Sequence, residues 1–376
     1  MSVFEAFGER RPSTDRVPHE TQALEPFLHF RPAGIYNPLT GRSLAAGQPG
    51  FRELGGLRDG TLAYAALSAR LARQLRREGW LVEAGGGDLA RRFRLRYVSL
   101  EANTACNQSC YFCPVSTDPR AGHTMSPEFY EGIVGQLAAH RATIEAVSMV
   151  HYNEPTADRW FVERIEVLHR HGLPAAVLTN GTGLTPRRVD AIVELGGLAF
   201  LSVNLSSLDR ERYRQERGGD HLELVLRNLD YMKGLAIAPR MEIVVLGLGD
   251  RRHRQDFHSI AERFAGSAFE TKYYETMDRA GNVATGHRPE KRHRNLCGCA
   301  QTGSRPVEWV HVTPHGKCVL CCQDYFDRYV VGDLHEESLD DILGGSRMAL
   351  LRRWVYGLEE APDDFICRDC IYALSR

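Results

Sequence analysis

The run Cys106-Asn107-Gln108-Ser109-Cys110-Tyr111-Phe112-Cys113-Pro114 decides how this chain is read. Its cysteines, spaced by three residues and then two, supply three thiolates where a four-iron cluster needs four. The fourth iron is left open to an outside ligand, which it can bind and reduce. A closed four-thiolate site would suggest electron transfer or structure instead. Zinc fits poorly, because a structural zinc takes four ligands in paired knuckles and nothing near Cys113 offers a fourth. Disulfides fit worse. The chain opens Met-Ser-Val-Phe-Glu-Ala-Phe-Gly-Glu-Arg-Arg, with acids and bases among the apolar residues. That is no secretory segment, so a cytoplasmic location is expected, and ten cysteines there suggest metal.

Length and composition set the outer bounds. With 376 residues, 43% of them hydrophobic, the chain can bury a large core and divide into two or three domains. No apolar run approaches the roughly 20 residues that cross a bilayer, so no membrane partner is expected. The formal net charge of -1 argues against a nucleic-acid surface, which normally carries a basic excess. The basic run from His287 to Arg294 reads as a solvated loop.

The cysteine spacing, with an aromatic residue just before the third cysteine, resembles the radical S-adenosylmethionine (SAM) superfamily. The resemblance implies an open four-iron cluster that chelates the amino and carboxylate groups of SAM. An electron from that cluster then splits SAM into methionine and a 5'-deoxyadenosyl radical, which abstracts a substrate hydrogen. It also implies an external one-electron reductant of the flavodoxin or ferredoxin type.

Residues 1–30, with Pro12, Pro18 and Pro26 among many charges, read as an irregular arm. In residues 31–88, Ile35 to Arg42 reads as a strand closed by a turn. Leu67, Leu71 and Leu75 fall at helical intervals between Leu62 and Glu78, Gly79 ends that helix, and Trp80-Leu81-Val82 resumes as a strand. This order resembles the small winged-helix domain, related to PqqD, that docks leader peptides in peptide-maturing enzymes. Gly85-Gly86-Gly87 reads as a hinge. In the body, residues 93–278, strand-like segments recur at 95–100, 144–150, 175–178, 200–203, 241–246 and 269–274, with helical patterns between them. Alternating strands and helices imply a parallel sheet with right-handed crossovers. Six such units match the superfamily's partial (β/α)6 barrel, so the fold class is α/β, with the active site at the carboxyl ends of the strands.

Further motifs follow these strands. His151-Tyr152-Asn153-Glu154-Pro155 lies where the family has a Gly-Gly-Glu-Pro segment that binds the methionine amino group; Tyr152 and Asn153 replace the two glycines. Thr179-Asn180-Gly181-Thr182 resembles the family's Thr-Asn-Gly loop. Ser207-Leu208-Asp209 and Arg217-Gly218 resemble the segment in which a serine bonds the ribose and an arginine pairs with the methionine carboxylate, a task suited to a planar guanidinium fork. Phe112 is expected beside the adenine. Glu275 and Asp278, after the sixth strand, are candidates for the base near the radical.

Residues 290–376 form a second cysteine module. The order Cys299, Trp309-Val310-His311-Val312, Gly316, Cys321-Cys322, Val331-Gly332-Asp333-Leu334, Cys367 and Cys370 resembles the SPASM and twitch extensions, which bind auxiliary four-iron clusters. The chain stops six residues after Cys370, short of the full SPASM pattern, so one auxiliary cluster is expected in addition to the SAM-binding one. The resemblance assigns its ligands as Cys299, Cys321, Cys367 and Cys370. Cys297 is an alternative for Cys299, and Cys318 or Cys322 for Cys321; a zinc ribbon is the rival for the whole module. Two enzymatic readings follow: oxidation or crosslinking of a precursor peptide, or dehydrogenation of a small sugar, aminocyclitol or other metabolite. A non-catalytic iron-sulfur scaffold or maturation partner is a third reading.

Overall fold

The computed structural model describes residues 22–85 and 87–376. Residues 1–21 of the expected arm and Gly86 of the expected hinge lie outside these. The chain divides into two compact units, the first ending at Leu89 and the second starting at Ala90.

In the first unit, strands β1 (Gln22–Leu24), β2 (His29–Arg31), β3 (Gly34–Asn37) and β4 (Arg42–Ala45) precede helices α1 (Phe51–Arg58) and α2 (Ala69–Arg77) and strand β5 (Leu81–Glu83). β1 and most of β2 fall in the stretch read as an irregular arm. β2, β3 and β4 form an antiparallel sheet, while β5 returns to pair with β1. The helix expected from Leu62 starts only at Ala69, where the Ser68 hydroxyl accepts from Leu71 N. It ends before Gly79, whose φ of +85° suits glycine. Ile35, Leu44, Leu54, Leu75 and Trp80 close the core of this unit.

The second unit is built on β6 (Tyr97–Leu100), β7 (Ala146–Ser148), β8 (Ala175–Thr179), β9 (Phe200–Asn204), β10 (Met241–Gly247) and β11 (Phe269–Glu275). Each adjacent pair runs parallel. The intervening helices are α3 (Pro127–Leu137), α4 (Phe161–Arg170), α5 (Pro186–Glu194), α6 (Arg210–Arg217), α7 (Leu222–Met232) and α8 (Arg251–Arg263). α3 illustrates the local logic. Ser126 caps its first turn, Pro127 fits the first helical position, and Tyr130, Ile133, Val134 and Leu137 form its buried face.

The cysteine-rich C-terminal segment holds β12 (Leu296–Cys299), α9 (Arg305–Glu308), β13 (Trp309–Val312), β14 (Lys317–Val319), β15 (Val330–Asp333), α10 (Leu339–Leu343), α11 (Ser346–Val355) and β16 (Ala373–Ser375). It does not stand apart. β13 pairs parallel with β6, from Tyr97↔Trp309 to Leu100↔Val312, and β14 and β15 follow antiparallel. The result is one nine-stranded sheet in the order β11-β10-β9-β8-β7-β6-β13-β14-β15, a partial barrel extended at its first strand. Among the described residues no helix is long and apolar enough to cross a membrane.

Candidate active site and cysteine cavity

The three-cysteine loop follows β6 and is tied down from two sides. Ser109 N donates to Arg217 O (2.9 Å), and Tyr111 N to Glu216 O (3.2 Å), at the end of α6. The helix stops there because Gly218 turns left-handed (φ +67°); a Cβ on it would lie 1.9 Å from Ser109 Oγ, so only glycine lets the loop sit this close. On the other side Glu154 N donates to Ala105 O (2.8 Å). Asn107 donates to Thr182 Oγ1 (2.9 Å) and accepts from Asn180 Nδ2 (2.8 Å), which fastens the loop to the segment after β8.

Glu154 is buried and holds two expected motifs together. Its Oε1 accepts from Thr156 N, Thr156 Oγ1 and Thr179 Oγ1, at 3.1, 2.6 and 2.5 Å, and its Oε2 accepts from Asn180 N at 2.7 Å. Burial pushes its pKa up and these donors push back. Only Oε2 retains room for an outside donor such as an ammonium. Asn153 is spent locally, accepting from His151 N and donating to Met149 O.

Arg217 is buried beside the cysteines. Its Nη2 donates to Asn204 Oδ1 (2.8 Å), its Nη1 lies 3.8 Å from Cys110 Sγ, and its guanidinium sits 5.1 Å from the Phe112 ring centroid. Its Nε has no acceptor, which leaves it available to a ligand. Ser207 is committed elsewhere: its hydroxyl donates to Asp256 Oδ1 (2.8 Å) and accepts from Asp209 N (3.0 Å). Its neighbour Ser206 instead lines a groove of about 770 Å³ with Tyr111, Glu216, Gly247 and Asp250, at the carboxyl ends of β9 and β10. Glu275 is exposed and paired with His287, and Asp278 accepts from Ala280 N (3.1 Å) in its own turn. Both carboxylates are therefore already engaged.

The second group of thiols lines a partly open cavity of about 450 Å³. Cys299, Cys321, Cys367 and Cys370 all face it, as the ligand set requires, and so does Cys322. Cys318 does not: it is fully buried on β14. Cys297 is likewise not among the lining residues. Burial pushes the thiols of Cys299, Cys321, Cys367 and Cys370 up, the last to about 12. A bound metal inverts that preference by holding thiolates. Among the described residues no three His, Cys, Asp or Glu could hold a single metal ion; thiols spread around a cavity are what a multi-iron cluster requires. Tyr152 links this cavity to the strand loops, its hydroxyl donating to Cys322 O (2.6 Å) and its amide to Glu101 Oε1 (2.8 Å).

Residues 100–263 match the radical SAM superfamily, and residues 299–371 match the SPASM iron-sulfur cluster-binding domain. The chain thus carries a radical SAM domain followed by a C-terminal SPASM domain. That pairing implies SAM and two iron-sulfur clusters as cofactors. The chain is 29% identical over 146 residues to a probable GTP 3',8-cyclase of Pyrococcus abyssi, covering 39% of this chain and 46% of the relative. It spans less than half the length of this and similar curated relatives. A SAM-dependent 2-deoxy-scyllo-inosamine dehydrogenase of Niallia circulans is 20% identical, with 73% of this chain and 91% of the relative covered. In fold, the chain resembles Streptococcus suis SuiB bound to precursor peptide SuiA, with TM-score 0.55 and 10% identity, covering 94% of this chain and 93% of that one. It also resembles anSMEcpe with bound AdoMet, with TM-score 0.52 and 14% identity, covering 70% and 84%.

Sequence reasoning missed Asn107 and Ser206, whereas Cys322, offered as an alternative to Cys321, lines the cavity beside it. Asn107 lies inside the quoted motif, but its partners come from a distant loop. Choosing between Ser206 and Ser207 depends on a rotation at the end of β9 that no pattern encodes.

Proposed function

We propose that this chain oxidises or crosslinks a ribosomally made peptide docked by its first unit. The observation that carries the reading is the edge of the three-stranded sheet. Among the described residues β4 pairs only with β3, and beside it Arg42, Ser43, Leu44, Gln74, Glu78 and Trp80 line a groove of about 630 Å³. An extended peptide adds to such an edge through main-chain hydrogen bonds, with side-chain pockets for specificity. SuiB, whose likeness spans nearly the whole chain, was crystallised with a precursor peptide.

In this reading Cys106, Cys110 and Cys113 hold the open cluster, and Cys299, Cys321, Cys367 and Cys370 hold the auxiliary one. When bound, the clusters supply the electron that cleaves SAM and an acceptor for the electron released by the oxidised substrate. Arg217 grips the methionine carboxylate, Glu154 Oε2 and the backbone around Asn153 face the amino group, and Phe112 with Asn180 borders the nucleoside. A ferredoxin- or flavodoxin-type protein is the reductant. The runner-up, dehydrogenation of an aminocyclitol or related metabolite, is favoured by the coverage of the Niallia enzyme.

The test is fluorescence anisotropy of the full chain with labelled short peptides encoded beside its gene, followed by mass spectrometry after reduction with SAM. Micromolar binding and loss of two hydrogens from one peptide are expected. Absence of peptide binding, together with oxidation of an aminocyclitol, would replace this reading by the runner-up.

A further inference from the structure

The turn after β11 is strained in one place. Arg279, Ala280 and Gly281 are successively left-handed, with φ of +54°, +55° and +86°, a conformation that side-chain-bearing residues avoid at a cost of about 1–2 kcal/mol each. The turn is held in that shape from several directions. The Asp278 carboxylate accepts from Ala280 N, and Val283 N donates to Asp278 O (2.9 Å). Asn282 Nδ2 donates both to Arg279 O (2.8 Å) and to Gln323 O (2.6 Å), the residue after the Cys321-Cys322 pair.

This fastening turns the Arg279 guanidinium toward the Tyr152 ring, 6.0 Å from its centroid, and Tyr152 in turn bonds Cys322 O. The same guanidinium acts electrostatically on Tyr152, Cys322, Cys113 and Tyr372. Of these, Cys113 belongs to the three-cysteine loop, and Cys322 and Tyr372 line the second cavity. Arg120, by contrast, makes two bonds to Glu101, the carboxylate that also accepts from Tyr152 N. Arg279 has the ring contact but no carboxylate, carbonyl or hydroxyl acceptor among the described residues.

We propose that Arg279 is the receptor for a carboxylate of the substrate, which it holds between the three-cysteine loop and the second cysteine cavity. The inference rests on the radical-enzyme reading and adds a substrate class to it. A guanidinium fork matches a carboxylate in two parallel bonds, and one uncompensated positive charge matches one negative charge. The strained turn fixes that fork before the substrate arrives, so less freedom is lost on binding. The carboxylate comes from an acidic residue or C-terminus of a peptide, or from a small acid.

Bromide is a suitable probe, because it reports a monoanion site without knowledge of the substrate. Crystals of the SAM-loaded holoenzyme soaked in sodium bromide are expected to show an anomalous peak at the Arg279 guanidinium. Acetate should displace that peak, and Arg279→Gln should lack it. Displacement by a docked peptide, abolished when its acidic residues become amides, assigns the carboxylate to a peptide; displacement by small acids alone assigns it to a metabolite. No peak in the wild type, a peak that vanishes when SAM is loaded, or one that no carboxylate displaces would each overturn the proposal. With the substrate in hand, Arg279→Gln should raise its KM about 10–100-fold, with Arg279→Lys intermediate, as the loss of a charge-assisted bond predicts. Failure of peptide docking leaves the bromide result intact, so the two readings fail separately.

Discussion

Replacing Glu154 with Gln removes the charge on which two loops converge, and the structure allows its cost to be worked out. The glutamine oxygen can take the place of Oε1 and keep the donors from Thr156 and Thr179. Its NH2 then meets Asn180 N, a donor facing a donor. One charge-assisted bond is lost, about 1.5–3 kcal/mol, and a buried N–H is left unsatisfied, about 1–3 kcal/mol. Relief of the burial that raises the carboxyl pKa offsets part of this, leaving about 3 kcal/mol net. For a unit of this size that lowers the melting temperature by about 6–12 °C. Circular-dichroism melting of the Glu154→Gln and exposed Glu163→Gln variants is the assay, with SAM titration of each at low temperature. Only the Glu154 variant should melt early and bind SAM more weakly. A Glu154→Gln protein that melts within a degree of the parent and binds SAM equally well would refute the argument that this carboxylate holds the two loops.

Two further outcomes are expected. Iron analysis of reconstituted protein should show loss of about four irons in Cys367→Ala, but full content in Cys318→Ala, because only Cys367 faces the cavity; loss of iron in Cys318→Ala would reject the ligand set. Burial holds His151 neutral by lowering its pKa from 6.5 to about 4. The folded state thus disfavours a proton that the unfolded chain accepts, so this contribution is fully present above pH 6.5 and lost as pH falls toward 4. At about 1.4 kcal/mol per pH unit it amounts to about 3 kcal/mol. Denaturant titrations at pH 7 and pH 4 should show that loss in the parent and a smaller one in His151→Gln; equal losses would contradict it.

Most of the body strands are legible because a parallel sheet covered on both faces leaves nearly continuous apolar runs, as in Met241–Gly247, whereas the edge strand Phe269–Glu275 is polar and largely uncovered. Their ends are less so: the segment expected at 144–150 contracts to Ala146–Ser148. α1 went unread because Gly55 and Gly56 interrupt its helical pattern, and its stability comes from burial of Leu54 and Leu57. The resemblance names Cys299, Cys321, Cys367 and Cys370 as one set, and these four line the second cavity together with Cys322. The roles of Ser207, Glu275 and Asp278 depend on side-chain direction after a strand, which tertiary contacts decide. Arg279 had no sequence signal, because nothing in Met277-Asp278-Arg279-Ala280 announces a left-handed turn.

The pairing of β13 with β6 has a consequence for timing. The three-cysteine loop follows β6, and β13, hydrogen-bonded to that strand, lies in the chain between Arg305–Pro306 and Leu320–Gln323 of the second cavity's lining, so a backbone ladder connects the two sites. Electron tunnelling slows exponentially with distance, and a separation governed by side-chain packing would vary the transfer rate with every breathing motion. Here the domains cannot drift apart without breaking the sheet. In the proposed reaction, the interval between making a substrate radical and discharging its electron is thereby held constant, and substrate entry is accommodated by the loops around the two sites.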